Sequence, residues 1–86
     1  MTINVRFFAI LKDLAGQSSL SLELTGQPTV ADARVEIERQ FPSLKAHLHR
    51  VSFALNLSHA GLQAVLHDGD ELAIIPPVSG GADQGT

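Results

Sequence analysis

The sequence predicts an α+β roll, a mixed sheet with one main helix packed on it. Three observations carry this reading. Leu20, Leu22 and Leu24 alternate with Ser19, Ser21 and Glu23 in strict period two, the pattern of a half-buried strand. Val30, Ala33, Ile37 and Phe41 recur at three- and four-residue steps, the pattern of an amphipathic helix. Leu72-Ala73-Ile74-Ile75 is apolar on both faces, as a central strand beneath a helix would be.

The elements follow in order. Val5, Phe7 and Ala9 alternate with Arg6 and Phe8 after Ile3, giving a first strand over residues 3–8 with one face buried and Phe8 left over for a partner. Ala9-Ile10-Leu11-Lys12-Asp13-Leu14-Ala15 suits a short helical turn closed by Gly16. The loop Gln17-Ser18 returns the chain, so the strand of alternating leucines pairs antiparallel with the first. Thr25-Gly26-Gln27-Pro28 breaks the pattern, and Thr29 caps the main helix with Asp32 at the N3 position, where an acid favours the positive end of the dipole. Arg34, Glu36, Glu38, Arg39 and Gln40 take its solvent side, and Pro42 ends it. Leu44 and Leu48 add a further apolar turn.

The next strand is expected over residues 51–57, with Val51, Phe53, Leu55 and Leu57 on one side, followed by a loop over residues 56–61. The final strand spans residues 72–75. Strand, strand, helix, strand, strand is best matched by a ubiquitin-like β-grasp. The domain is placed at residues 1–79, and residues 80–86 form a tail in which a Gly pair precedes a five-residue extension.

Composition narrows the functions available. A chain of 86 residues hides only about 60 to 65 per cent of its unfolded surface, enough for a single modest core and too little for a large enclosed active site. An apolar share of 44% and a charged share of 17% are those of a globular domain. With no cysteine there is no disulfide framework and no side-chain thiol to carry sulfur. Net charge is −3, and Arg6, Lys12, Arg34, Arg39, Lys45 and Arg50 are scattered singly, which excludes a phosphate-neutralising stripe and nucleic acid as a partner. No secretory pattern opens the chain and no apolar run reaches membrane-spanning length, so a cytoplasmic location without membrane contact is expected.

Few side chains are arranged for chemistry. His47, His49, His59 and His67 show no helical i, i+4 pair and have no cysteine to join them, so no metal site is expected. Asp68-Gly69-Asp70-Glu71 reads as the tight turn before the last strand, with acidity available for docking. Ser58 beside His59 lacks the framing of an activated nucleophile. What remains is the end of the chain. Pro76-Pro77 imposes a stiff, extended exit after a buried strand and projects Gly80-Gly81 from the fold. A terminal carboxylate that must be activated and then attacked passes down a narrow channel, and only glycine leaves room for it.

Val5-Arg6-Phe7-Phe8-Ala9, Leu14-Ala15-Gly16, Thr29-Val30-Ala31-Asp32, Ala54-Leu55-Asn56, Leu66-His67-Asp68-Gly69-Asp70-Glu71-Leu72-Ala73 and Ile75-Pro76-Pro77-Val78-Ser79-Gly80-Gly81 together resemble the MoaD-like sulfur carriers, the small subunits of molybdopterin synthase. The resemblance covers residues 3–81, and its most specific parts are the Asp-Gly-Asp-Glu turn and the Pro-Pro-Val-Ser-Gly-Gly end. It implies that a ubiquitin-activating-like adenylyltransferase uses ATP to convert Gly81, presented with Gly80, to an acyl adenylate and then a thiocarboxylate. No cofactor is implied on the carrier itself. Inserted into the large synthase subunit, the thiocarboxylate gives its sulfur to cyclic pyranopterin monophosphate.

The same resemblance implies that Phe8 and Ile75, with Pro76, Pro77, Val78 and His59, meet the large subunit. His59 stands where the family usually offers an apolar contact, Ile75 replaces a more familiar aromatic, and Arg34 and Val35 dilute the usual helix leucines. Ala82-Asp83-Gln84-Gly85-Thr86 would hold the Gly81 carboxylate in a peptide bond, which implies a protease cutting after Gly81 or a tail foreign to the chain. Three functions stay open: molybdenum cofactor synthesis; another sulfur pathway (thiamine or tRNA thiolation) or protein modification; and a plain binding module.

Overall fold

The computed structural model describes residues 1–77, so Val78 and the expected tail with Gly80 and Gly81 lie outside the described residues. Among the described residues five strands and two helices are formed: β1 Thr2–Phe7, α1 Ile10–Ala15, β2 Ser19–Glu23, α2 Val30–Gln40, β3 Ser52–Leu55, β4 Ser58–Ala60 and β5 Glu71–Ile75, with a 3-10 turn at Pro42–Leu44 after α2. The strands make one sheet in the order β2-β1-β5-β3-β4. β1 and β5 are parallel neighbours at its centre, and every other pairing is antiparallel. This is the ubiquitin-like β-grasp arrangement that the pattern of elements implies.

The core forms where the periodicities meet. Ile3, Val5 and Phe7 of β1, Leu22 of β2, Phe53 of β3, and Leu72 and Ile74 of β5 turn to one side of the sheet and pack with Val30, Ala33 and Ile37 of α2 and with Leu44 and Leu48. Phe7 meets Phe41 edge to face with ring centres 5.9 Å apart, so the C-terminal end of α2 is held against the end of β1. At the other end of α2 the capping pair is reciprocal. The Thr29 backbone N–H donates to Asp32 Oδ2 at 2.8 Å while the Asp32 N–H donates to Thr29 Oγ1, which satisfies two backbone donors.

Two expectations are corrected. The strand expected over residues 51–57 is only Ser52–Leu55, because Asn56 and Leu57 take positive φ of 50° and 74° and reverse the chain. Leu57 therefore leaves the apolar row and stands 90% exposed. The loop expected over residues 56–61 then holds β4, whose Ser58, His59 and Ala60 pair with Leu55, Ala54 and Phe53. A three-residue polar edge strand has too few alternations to stand out in sequence, and its turn lacks the usual Asn-Gly pair.

Candidate functional site

The turn before β5 fixes where the chain leaves the fold. Gly69, at φ 87°, allows the tight reversal, and its N–H donates to the Thr2 carbonyl at 2.8 Å. The Asp68 carboxylate accepts the Thr2 N–H at 2.8 Å. Asp70 accepts from the Asn56 side-chain amide at 3.0 Å and from the His67 backbone N–H at 2.7 Å. These two donors, the amide foremost, hold the Asp70 carboxyl below its usual pKa. Asn56 completes the link by accepting the Glu71 N–H at 2.9 Å. The acidic turn thus ties β1, β5 and the β3–β4 hairpin together, and the reading of it as structure holds.

On the sheet face away from α2, the ladder sets Arg6 beside Ala73, Ala73 beside Ala54, and Ala54 beside His59. Side chains directly opposite in a ladder share a face, so this row belongs to the uncovered side. Ala54 and Ala73 make its low floor. Phe8 and Ala9, following β1, rise on one side; Leu57 stands at the tip of the β3–β4 hairpin; Ile75, Pro76 and Pro77 complete the wall where the chain exits. The result is an open groove of about 720 Å³. Phe8 and Ile75 are 41% and 42% exposed. On the rim, Arg6 Nη1 lies 3.0 Å from Glu71 Oε2 and its guanidinium carbon sits 5.8 Å from the centre of the Phe8 ring, which steadies that ring.

The structure therefore brings four of the singled-out residues, Phe8, Ile75, Pro76 and Pro77, into one groove. His59 is on the same face but on the outer strand, where it lines a separate cleft of about 230 Å³ with Arg34 and His49. Val78, Gly80 and Gly81 fall outside the described residues. Sequence reasoning missed Ala54, Ala73, Ala9 and Leu57. The alternation that buries Leu72 and Ile74 also puts Ala73 beside Ile75 on the free face, a signal open to reading; nothing marked the positive-φ positions. None of the groove's lining side chains titrates. It can desolvate apolar surface and cannot donate a proton or hold a metal, and among the described residues no group of three His, Cys, Asp or Glu is placed to bind one.

Comparison with known proteins adds to this geometry. The chain is 38% identical over 79 residues to a molybdopterin synthase sulfur carrier subunit of Arabidopsis thaliana, covering 92% of this chain and 82% of that protein. Its structure superposes on the crystal structure of SAMP1 from Haloferax volcanii with a TM-score of 0.87 at 29% identity, covering 94% of this chain and 100% of that one. It also superposes, with a TM-score of 0.69 at 29% identity and coverage of 94% and 100%, on a chain from the protein-protein complex of subunits 1 and 2 of molybdopterin-converting factor from Helicobacter pylori 26695. The matching family description spans residues 5–81, reaching Gly81 and leaving outside it the extension that follows. With a β-grasp sheet, a groove beside its exit strand and a match over nearly its whole length, the chain belongs to the ThiS family.

Proposed function

We propose that this chain is the sulfur carrier of molybdenum cofactor biosynthesis, working from the Gly81 carboxylate in the cytoplasm. The observation that carries the reading is the likeness to molybdopterin synthase sulfur carriers over 92% of the chain, together with a family match that stops at Gly81. In this scheme a processing protease first frees the Gly81 carboxylate by removing Ala82-Asp83-Gln84-Gly85-Thr86. An adenylyltransferase then joins that carboxylate to AMP from ATP, with release of pyrophosphate. A sulfur nucleophile displaces AMP to leave the thiocarboxylate. ATP is bound by the activating enzyme and not by the carrier.

The large synthase subunit is the proposed occupant of the groove. Pro76 and Pro77 are part of its wall. Gly81 follows Pro77 by four residues, a reach of at most about 14 Å. A protein that takes Gly81 into its active site therefore comes close to this wall, and burial of Phe8 and Ile75 in the groove would hold it there while the sulfur passes to cyclic pyranopterin monophosphate. The carrier leaves with an ordinary carboxylate and is reloaded.

The test is intact mass spectrometry of the protein recovered from cells that contain its own activating enzyme. A chain ending at Gly81, heavier by the replacement of one oxygen with sulfur, is expected; an unprocessed mass contradicts the reading. A second reading, a protein modifier joined through Gly81 to lysines, is favoured by the likeness to SAMP1, a small archaeal modifier protein. Adducts of the Gly81-ending chain on lysines of other proteins would identify it.

A further inference from the structure

Among the described residues, three that are not glycine have positive φ: Ala9 at 54°, Asn56 at 50° and Leu57 at 74°. Asn56 is at home there, because asparagine tolerates the left-handed region and its side chain is used by both Asp70 and Glu71. The other two are not. Ala9, with ψ −129°, occupies a region where a Cβ is crowded and glycine is not. Leu57 is the second residue of the two-residue turn joining β3 to β4, and two successive positive φ values give the turn that calls for glycine at that place.

Among the described residues, neither strain is offset by burial. Ala9 is exposed, and Leu57, at 90%, is the barest of the large apolar side chains among the described residues. Val35 at 58% is the next, but it sits on ordinary helical backbone and needs no special account. Both strained apolar residues line the same groove, Ala9 from the end of β1 and Leu57 from the hairpin tip. Backbone strain that persists is characteristic of functional positions, and here both instances lead to one place.

We propose that Leu57 and Ala9 are contact residues for the large synthase subunit, kept as apolar side chains at positions where the isolated fold would be more stable with glycine. This rests on the docking role proposed above. Leu57 is the anchor, a long side chain standing free above a floor of Ala54 and Ala73, so that it enters the partner while the partner's own apolar side chains fill the groove beside it. Ala9 adds a methyl group to the wall beside Phe8.

The test pairs two readouts of opposite sign on the full chain. Leu57→Gly and Ala9→Gly are melted by calorimetry, and each is titrated into the large synthase subunit. Each variant is expected to raise Tm by roughly 4 °C. Affinity is expected to fall about tenfold for Leu57→Gly and about threefold for Ala9→Gly. Leu57→Asn, which keeps the turn without glycine's freedom, should lose the same affinity as Leu57→Gly. Residues with a merely structural role would lower both quantities together. A lowered Tm, or a wild-type affinity retained in the variants, overturns this inference alone. If the wild-type chain itself fails to bind the large subunit, the docking role falls and this inference with it.

Discussion

Leu72 and Ile74 are fully buried, whereas Ile75, from the same strand, is 42% exposed on the opposite face beside Ala73. Both faces of β5 carry apolar side chains, Leu72 and Ile74 on one, Ala73 and Ile75 with Glu71 at the rim on the other, and they differ in what covers them. One lies under α2, whose inward side supplies Val30, Ala33 and Ile37. The other faces a groove with no element of the described chain above it. The solvent side of α2, by contrast, carries charged groups that pair along the helix. Glu36 accepts from Arg39 and Gln40, which hold its carboxyl at about 2. On the docking role proposed above, both apolar faces of β5 are covered, one by its own chain and the other by a second.

Neighbouring substitutions on β5 should split that comparison most sharply. Ile74→Ala removes buried methyl groups from the closed face and is expected to destabilise the fold by about 2–5 kcal/mol. Ile75→Ala, one residue on, should change stability by no more than about 0.5 kcal/mol. Calorimetric melts of the two variants give the contrast directly, and equal losses would mean that the faces are not distinct. Phe8→Ala comes next. It leaves the core untouched, and its affinity for the large synthase subunit should fall by about 1–2 kcal/mol, read by titration calorimetry.

A modest effect belongs to the acidic turn, which serves both faces by fixing the course of β5. Because the folded Asp70 carboxyl titrates below its ordinary range, its contribution is present at neutral pH and is lost as acid drives pH down through the lowered value. Asp70→Asn should weaken the fold by about 1 kcal/mol at neutral pH and flatten the acid limb of its stability profile. Thermal melts from neutral pH downwards would check both.

The closed face was legible in the sequence, because burial by the chain's own residues leaves a period. Alternating leucines gave β2, three- and four-residue spacing gave α2, and Thr29 with Asp32 gave its cap. The open face was legible only in part. Phe8 stood out as an aromatic surplus to the first strand, and Phe8 and Ile75 were matched to a partner surface through the family resemblance. The Pro-Pro exit announced itself. Leu57 was drawn into the apolar row because it continues the alternation of Phe53 and Leu55, and only the backbone reversal at Asn56 removes it. Ala54 and Ala73 are too small to register as a binding surface until the register sets them side by side.

The most direct measurement is an amide chemical-shift map of the isotopically labelled chain titrated with the large synthase subunit. Shifts should concentrate at Arg6, Phe8 and Ala9, at Ala54 and Leu57, and at Ala73 and Ile75, while the amides of α2 stay where they are. Shifts centred on α2 instead, or none on the open face, would contradict the division of the sheet into a face closed by its own chain and a face closed by a partner.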